Sequence, residues 1–381
     1  LAELLLAEGE HAPVALMLPA GLSLRGGMRF DGVAYVDDGG ESVLPVSGDG
    51  LVVTSAKLAA LRLRLDEPTA VITLSGSASL AQCTVEKPGG VAGAAVVIEG
   101  GANAVLENAD VRGALGAGAG SAAVVVLAGG ALRLRGGVVA SGDNGAATAV
   151  LCDHGTLALE AATVSGGLLA ERAQGIEAHH CTVDLAGATV VGGAGTAVFG
   201  LWAEDSVVAV DAASTITAAI ETSDEATAVA LTGPSGSALL AGEVRAARAG
   251  IDVGMPVAAL CTDGALALTD ADVAAAGVGA VGVRLVAAAL SATDSAVAVE
   301  GSGGIGIALA GAADVYLERV QASAERVVDG SANFLSVVDS ALAGTAAGCG
   351  VPTTFVLVER STIAVDGPAS VTALSARGAI V

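Results

Sequence analysis

Val150-Leu-Cys-Asp-His-Gly-Thr-Leu-Ala-Leu-Glu-Ala-Ala-Thr-Val164 decides the fold. Its apolar residues fall at Val150, Cys152, Leu157, Leu159 and Val164: two pairs at strand spacing and one closing residue, with four residues before each restart. Within each pair the period is two, so both members point to the same side of a strand. Helical spacings of three and four are missing. The same pattern recurs at Val125/Leu127/Leu132/Leu134/Val139 and at Ile176/Ala178/Val183/Leu185/Val190. It returns at Ala259/Cys261/Leu266/Leu268/Val273 and Val283/Leu285/Leu290/Ala292/Val297. Each copy is two or three short strands joined by turns, and none can bury its apolar face alone, so the copies must stack.

The repeat averages about 26 residues from residue 71 onward. With an imperfect copy near Val52 it predicts about 13 coils, stacked at the strand spacing of about 4.8 Å into about 60 Å of solenoid. The handedness of parallel crossovers predicts a right-handed coil. The expected organisation is a cap and first irregular coil over 1–50 and one continuous repeat domain over 51–381. Residues 1–8 (LAELLLAE) read as a short amphipathic helix over the open end of the first coil. The C-terminal Ala379-Ile-Val381 follows a repeat copy directly, which predicts further chain or a docked partner at that edge.

Gly is 54 of 381 residues and aromatics are 2%. Small residues suit a thin coil with tight turns, for which Gly supplies positive φ. Mean hydropathy is +0.71, yet no uninterrupted apolar run of about 18 residues occurs, so no transmembrane segment is expected. These features resemble the right-handed parallel β-helix family in its broad pectin-lyase-like sense. The resemblance is carried by Leu106-Glu-Asn-Ala-Asp-Val111 and Leu159-Glu-Ala-Ala-Thr-Val164. The stretch Leu18-Pro-Ala-Gly-Leu-Ser-Leu-Arg-Gly-Gly27 resembles the first coil of secreted bacterial members. It implies a scaffold that hosts lyases, hydrolases, adhesins and passive surface proteins alike, and an extracellular or cell-surface location.

Net charge is −23, with two lysines, Lys57 and Lys87. That excludes nucleic acid and anionic membrane as natural partners. No resident cofactor is expected beyond a divalent cation collected by acidic turns. The five cysteines are at 83, 152, 181, 261 and 349. Cys152 and Cys261 lie four coils apart, about 19 Å, beyond disulfide reach. No pair reads as a bridge, and Cys152, Cys261 and Cys349 read as small inward hydrophobes.

Aligning the coils that begin at 150, 176 and 201 gathers one unusual set. Outward and turn positions hold Leu151, Asp153 and His154, then Glu177, His179 and His180, then Trp202, Glu204 and Asp205. The coil at 125 offers Val126, Ala128 and Gly129 there, and the coil at 229 offers Ala230, Thr232 and Gly233. Imidazoles on neighbouring coils could share a metal with a carboxylate, drawing on Asp153, His154, His179, His180 and Asp205. Cys181 stands beside them as a thiol. The same groups could move protons, His154 or His180 acting with Asp205 or Glu204. Trp202, with Glu177 nearby, could seat a sugar ring. Against this, outward turn positions are polar by default. No Gly-x-Ser-x-Gly, P-loop or Cys-x-x-Cys occurs.

Uniform thin repeats, few aromatics and 17 Lys and Arg in all point to a non-catalytic structural or adhesive surface protein. A fibre or filament subunit, or part of a longer surface protein, fits them. Its partners would be itself, end to end or laterally, or a surface or matrix polysaccharide. The alternative is a polysaccharide lyase or hydrolase, or a carbohydrate- or metal-binding module, using the 153–205 patch.

Overall fold

The computed structural model describes residues 2–31, 33–37, 40–87, 93–113, 121–142, 145–168, 170–220, 225–248, 255–344, 355–365 and 375–377. Two compact units divide the chain, Leu1–Val183 and Asp184–Val381. Both are parallel β-helices, and no helix occurs among the described residues. Cys349 and the C-terminal Ala379–Val381 lie outside them.

In each unit the chain winds repeatedly through three sheets, here A, B and C. The coil that decides the fold contributes Gly145–Asp153 to A, Thr156–Glu160 to B and Thr163–Ser165 to C. Its residues pair in parallel with the preceding coil, Leu132 with Leu157, Leu134 with Leu159 and Val139 with Val164. All six side chains are buried. The second unit repeats this, with Val257–Thr262 in A, Ala265–Thr269 in B and Asp272–Ala276 in C. A parallel stack buries one face of each strand by piling like residue on like, so Val, Leu and Ala recur in line down the interior.

The copy at 125 sits one residue away from its expected register. Val124 and Val126 pair with Val150 and Cys152 and are buried, while Leu127 is 40% exposed. The turn Leu127-Ala-Gly-Gly130 is one residue longer than its counterpart after Cys152, which moves the apolar phase back by one.

The N-terminal helix is also corrected. Ala2–Ala7 is a strand, paired in parallel with Leu22–Met28. A helix of this length is marginal alone, whereas the edge of Leu22–Phe30 offers unpaired backbone groups. The antiparallel pairing among the described residues joins that same strand to Tyr35–Asp37.

Several corners between sheets are turned by residues other than glycine at positive φ. His154 and His180 (φ 53° each) hold this conformation between A and B, as do Asp205, Asp263 and Ala287 in the second unit. It lets the corner N–H continue the ladder, as His154 N donates to His179 O at 2.8 Å. The following residue turns inward, where only small side chains fit: a Cβ on Gly155 would stand 2.8 Å from Gly130 O.

Candidate functional site

Sheet A of the first unit brings together the residues expected there. Leu151 pairs with Glu177 and Asp153 with His179, so the alignment of these two coils is correct. At the corner, His154 and His180 lie ring to ring, with centroids 4.5 Å apart and planes tilted by 38°. His154 Nδ1 is 2.6 Å from Asp153 Oδ1. Both partners are more than half exposed. A carboxylate on Nδ1 selects the tautomer that leaves Nε2 to accept a proton, the arrangement a general base requires.

Below this pair is a second, more enclosed cluster. His179 Nε2 is 3.2 Å from Glu177 Oε1. Thr148 Oγ1 donates to Glu177 Oε2 at 3.1 Å. With the Gln174 amide oxygen facing Arg172, both ends of that amide find complementary partners. Arg172 Nη2 donates to that oxygen at 3.0 Å, and the amide nitrogen donates to Glu177 Oε2 at 2.7 Å and Thr148 Oγ1 at 3.1 Å. Gln174 is 2% exposed and Thr148 6%. Glu177 and His179 remain partly open, at 21% and 27%.

The burial follows from a break in strand alternation that recurs at this position along sheet A, as at Ala123, Ala228 and Ala258. Ala147, Thr148, Ala149 and Val150 are all buried in succession, which breaks the strand alternation. Thr148 pairs with Gln174 and Val150 with Ile176, while Ala149 and Gly175 are skipped in the ladder. The strand bends there, and the outward side chains before the bend fold over those after it. Thr148, Arg172 and Gln174 escaped the sequence reading because they precede the first position of the repeat. Their signal was legible: outward polar residues run 172, 174, then 177, 179, changing phase across Gly175.

A disulfide joins Cys152 to Cys181, with Cα atoms 6.4 Å apart. This corrects the expectation that no pair bridges. Equivalent positions on distant coils are out of reach, but the partner of an inward strand residue is the inward corner residue of the next coil. Cys181 is 3% exposed, so it is not an open thiol ligand beside the histidines. Cys83 and Cys261 are free and buried, and burial pushes both thiols up to about 11.

In the second unit, Asp205 is engaged by its own turn. Its N–H donates to Thr232 O at 2.8 Å and its Oδ1 accepts from Ser235 N at 3.0 Å. It braces the corner around Gly233. Trp202 pairs with Ala230 and Glu204 with Thr232 on sheet A, and Glu204 O accepts from Ser206 Oγ at 2.8 Å. Among the described residues, no group of three or more His, Cys, Asp or Glu is arranged to hold a metal ion. No helix is long and apolar enough to cross a membrane.

No family model and no curated protein matches this chain. Among solved structures it is similar to the A-module of the mannuronan C-5 epimerase AlgE6 of Azotobacter vinelandii, at 12% identity and TM-score 0.40 over 93% of this chain and 92% of that one. The AlgE4 A-module of the same organism gives 13% and 0.36 over 94% and 91%. The PL6 family alginate lyase AlyGC gives 8% and 0.24 over 95% and 82%.

Proposed function

We propose that this chain is a secreted or surface-displayed β-helix that binds polysaccharide on the outer face of sheet A in its first unit. The observation that carries the reading is the Thr148–Arg172–Gln174–Glu177–His179 cluster. Polar groups are costly to bury unless satisfied, and a solenoid stacked from Val, Leu and Ala does not need them. Here they are satisfied and fixed, leaving a carboxylate and an imidazole partly open. Such a pre-organised array of donors and acceptors suits the hydroxyls of a sugar chain. The Cys152–Cys181 bridge supports an oxidising compartment.

The test is affinity electrophoresis and calorimetry against neutral and uronate polysaccharides. Binding is expected for the parent protein and is expected to fall at least about tenfold in Glu177→Gln. Equal binding by both proteins would sink the proposal. A catalytic reading is favoured by one separate observation, the Asp153–His154 pair. It predicts new reducing ends or unsaturated sugars on incubation, lost in His154→Ala. A ligand that is bound and recovered intact keeps the binding reading alone.

A further inference from the structure

The second unit carries a groove that the polar cluster does not explain. It lies on the outer face of sheet B, where five strands stack in register. Val207 pairs with Ser237 and Ala209 with Leu239, Leu239 with Ala267, Ala267 with Ser291 and Ser291 with Tyr316. Leu239 thus stands on one side of a floor made by Ala267 and Ser291, and Tyr316 on the other. Three strand steps separate these walls, about 14 Å. The groove encloses about 650 Å³, within the range of small-ligand sites. Val207, Leu239 and Tyr316 are each about half exposed. Phe334 on the next strand steadies Tyr316, with ring centroids 5.2 Å apart.

We infer that this groove is a binding site for a short neutral oligosaccharide. The face measures about 24 Å by 10 Å, or about 240 Å², well short of the roughly 800 Å² per partner that a stable protein interface needs. A second copy of the chain is therefore a poor occupant. The apolar floor fits the C–H face of a pyranose, and Tyr316 offers an aromatic wall with a polar tip. The hydroxyl of Ser291 in the floor, that of Ser237 and the carboxylate of Asp314 line the groove, where they can engage sugar hydroxyls. Among the described residues no Lys or Arg lines the groove and Asp314 is its charged group, so a uronate carboxylate would meet repulsion. The site does not depend on the sheet A cluster.

The test is a calorimetric and NMR titration of the full chain with cellotetraose, maltotetraose and tetragalacturonate. A neutral tetrasaccharide is expected to bind and the uronate to bind at least about tenfold more weakly. Tyr316→Ala should weaken binding about tenfold, and Ala267→Trp, which fills the floor from outside the core, should abolish it. Val278→Ser, on an exposed turn outside both surfaces, should leave it unchanged. Retained circular dichroism would show that the variants fold. No binding by either neutral probe, equal affinity for the uronate, or indifference to both groove variants would overturn the inference. Loss in Glu177→Gln alone would move the site to sheet A. A concentration-dependent dimer abolished by Ala267→Trp would replace the sugar with a second copy.

Discussion

Removing the Cys152–Cys181 bridge tests the first unit most directly. The bridge closes a loop of 29 residues. On the chain-entropy account this restricts the unfolded state by about 3.6 kcal/mol at 25 °C. That figure is an upper value, because a solenoid unfolds partly coil by coil and its unfolded state keeps some structure. The double substitution Cys152→Ala/Cys181→Ala avoids burying a new polar group at either site. Urea unfolding should show a loss of about 2–3.6 kcal/mol, and the parent protein should lose a similar amount under reductant. Thiol titration in denaturant supplies the independent check: reduction should expose two further reactive thiols, those of Cys152 and Cys181. No gain on reduction in protein from an oxidising compartment, or equal stability with and without reductant, would refute the reasoning. The site should respond as well. Cys181 directly follows His180, so the variant should broaden the imidazole NMR signals of His154 and His180 as the corner loosens.

Four further outcomes follow from the same physics. Gln174→Leu leaves Thr148 and Glu177 short of a partner inside the bend, so urea unfolding should show a loss of about 1–3 kcal/mol. Lys87 is 4% exposed, with Nζ donating to the carbonyls of Ala70 and Ala94, and burial pushes its ammonium below the ordinary value. Its folded value lies below its unfolded one, so stability from this site falls as pH drops through that window; Lys87→Met should raise the neutral-pH midpoint and flatten the alkaline pH dependence. Asp211 is held below the usual carboxylate range by the Ser214 hydroxyl and the Gly187 amide; its contribution is present above the unfolded value and lost as pH falls, so Asp211→Asn should shrink the acid-side drop in thermal midpoint. His154→Gly should keep or raise stability by about 0.5–1 kcal/mol, since the corner conformation is free to glycine, while altering ligand binding.

How much of this was readable depended on the kind of signal. Inward positions were legible because the interior repeats: Leu132, Leu157 and Val139, Val164 fall where a period of two and a four-residue gap put them. The site alignment was legible for the same reason, since Asp153 and His179 occupy one rung. What failed lay at places where the chain leaves the strand period. One extra turn residue displaced Val124 and Val126 from their expected register. The bend at Ala149 and Gly175 hid Thr148, Arg172 and Gln174. The disulfide was missed because a corner turns Cys181 inward, a direction that strand alternation does not predict. Ala2–Ala7 was misread because composition favours a helix, while the neighbouring strand edge decides the outcome.

Corner side chains separate what the fold needs from what it merely permits. A corner residue at positive φ faces its neighbour at strand spacing, so its side chain is free to vary if the next coil agrees. Between sheets B and C of the second unit, agreement is electrostatic. Arg319 Nη2 donates to Asp294 at 2.7 Å and Arg360 Nη2 to Asp339 at 2.7 Å. Asp294 and Asp339 are held below the usual carboxylate range chiefly by those guanidinium bonds. This ladder explains itself: unlike charges stack, and the residues are exposed, so its effect on stability is small and salt-sensitive. The His154–His180 corner has no such account. Two imidazoles meet at 4.5 Å in a conformation that disfavours non-glycine residues by about 1–2 kcal/mol each, one coil beyond a corner where Gly129 takes the same φ sign. The pair makes chemical sense as a displayed polar surface beside the fixed Glu177–His179 cluster, which makes sheet A of the first unit a surface to probe for a ligand separately from the groove of the second.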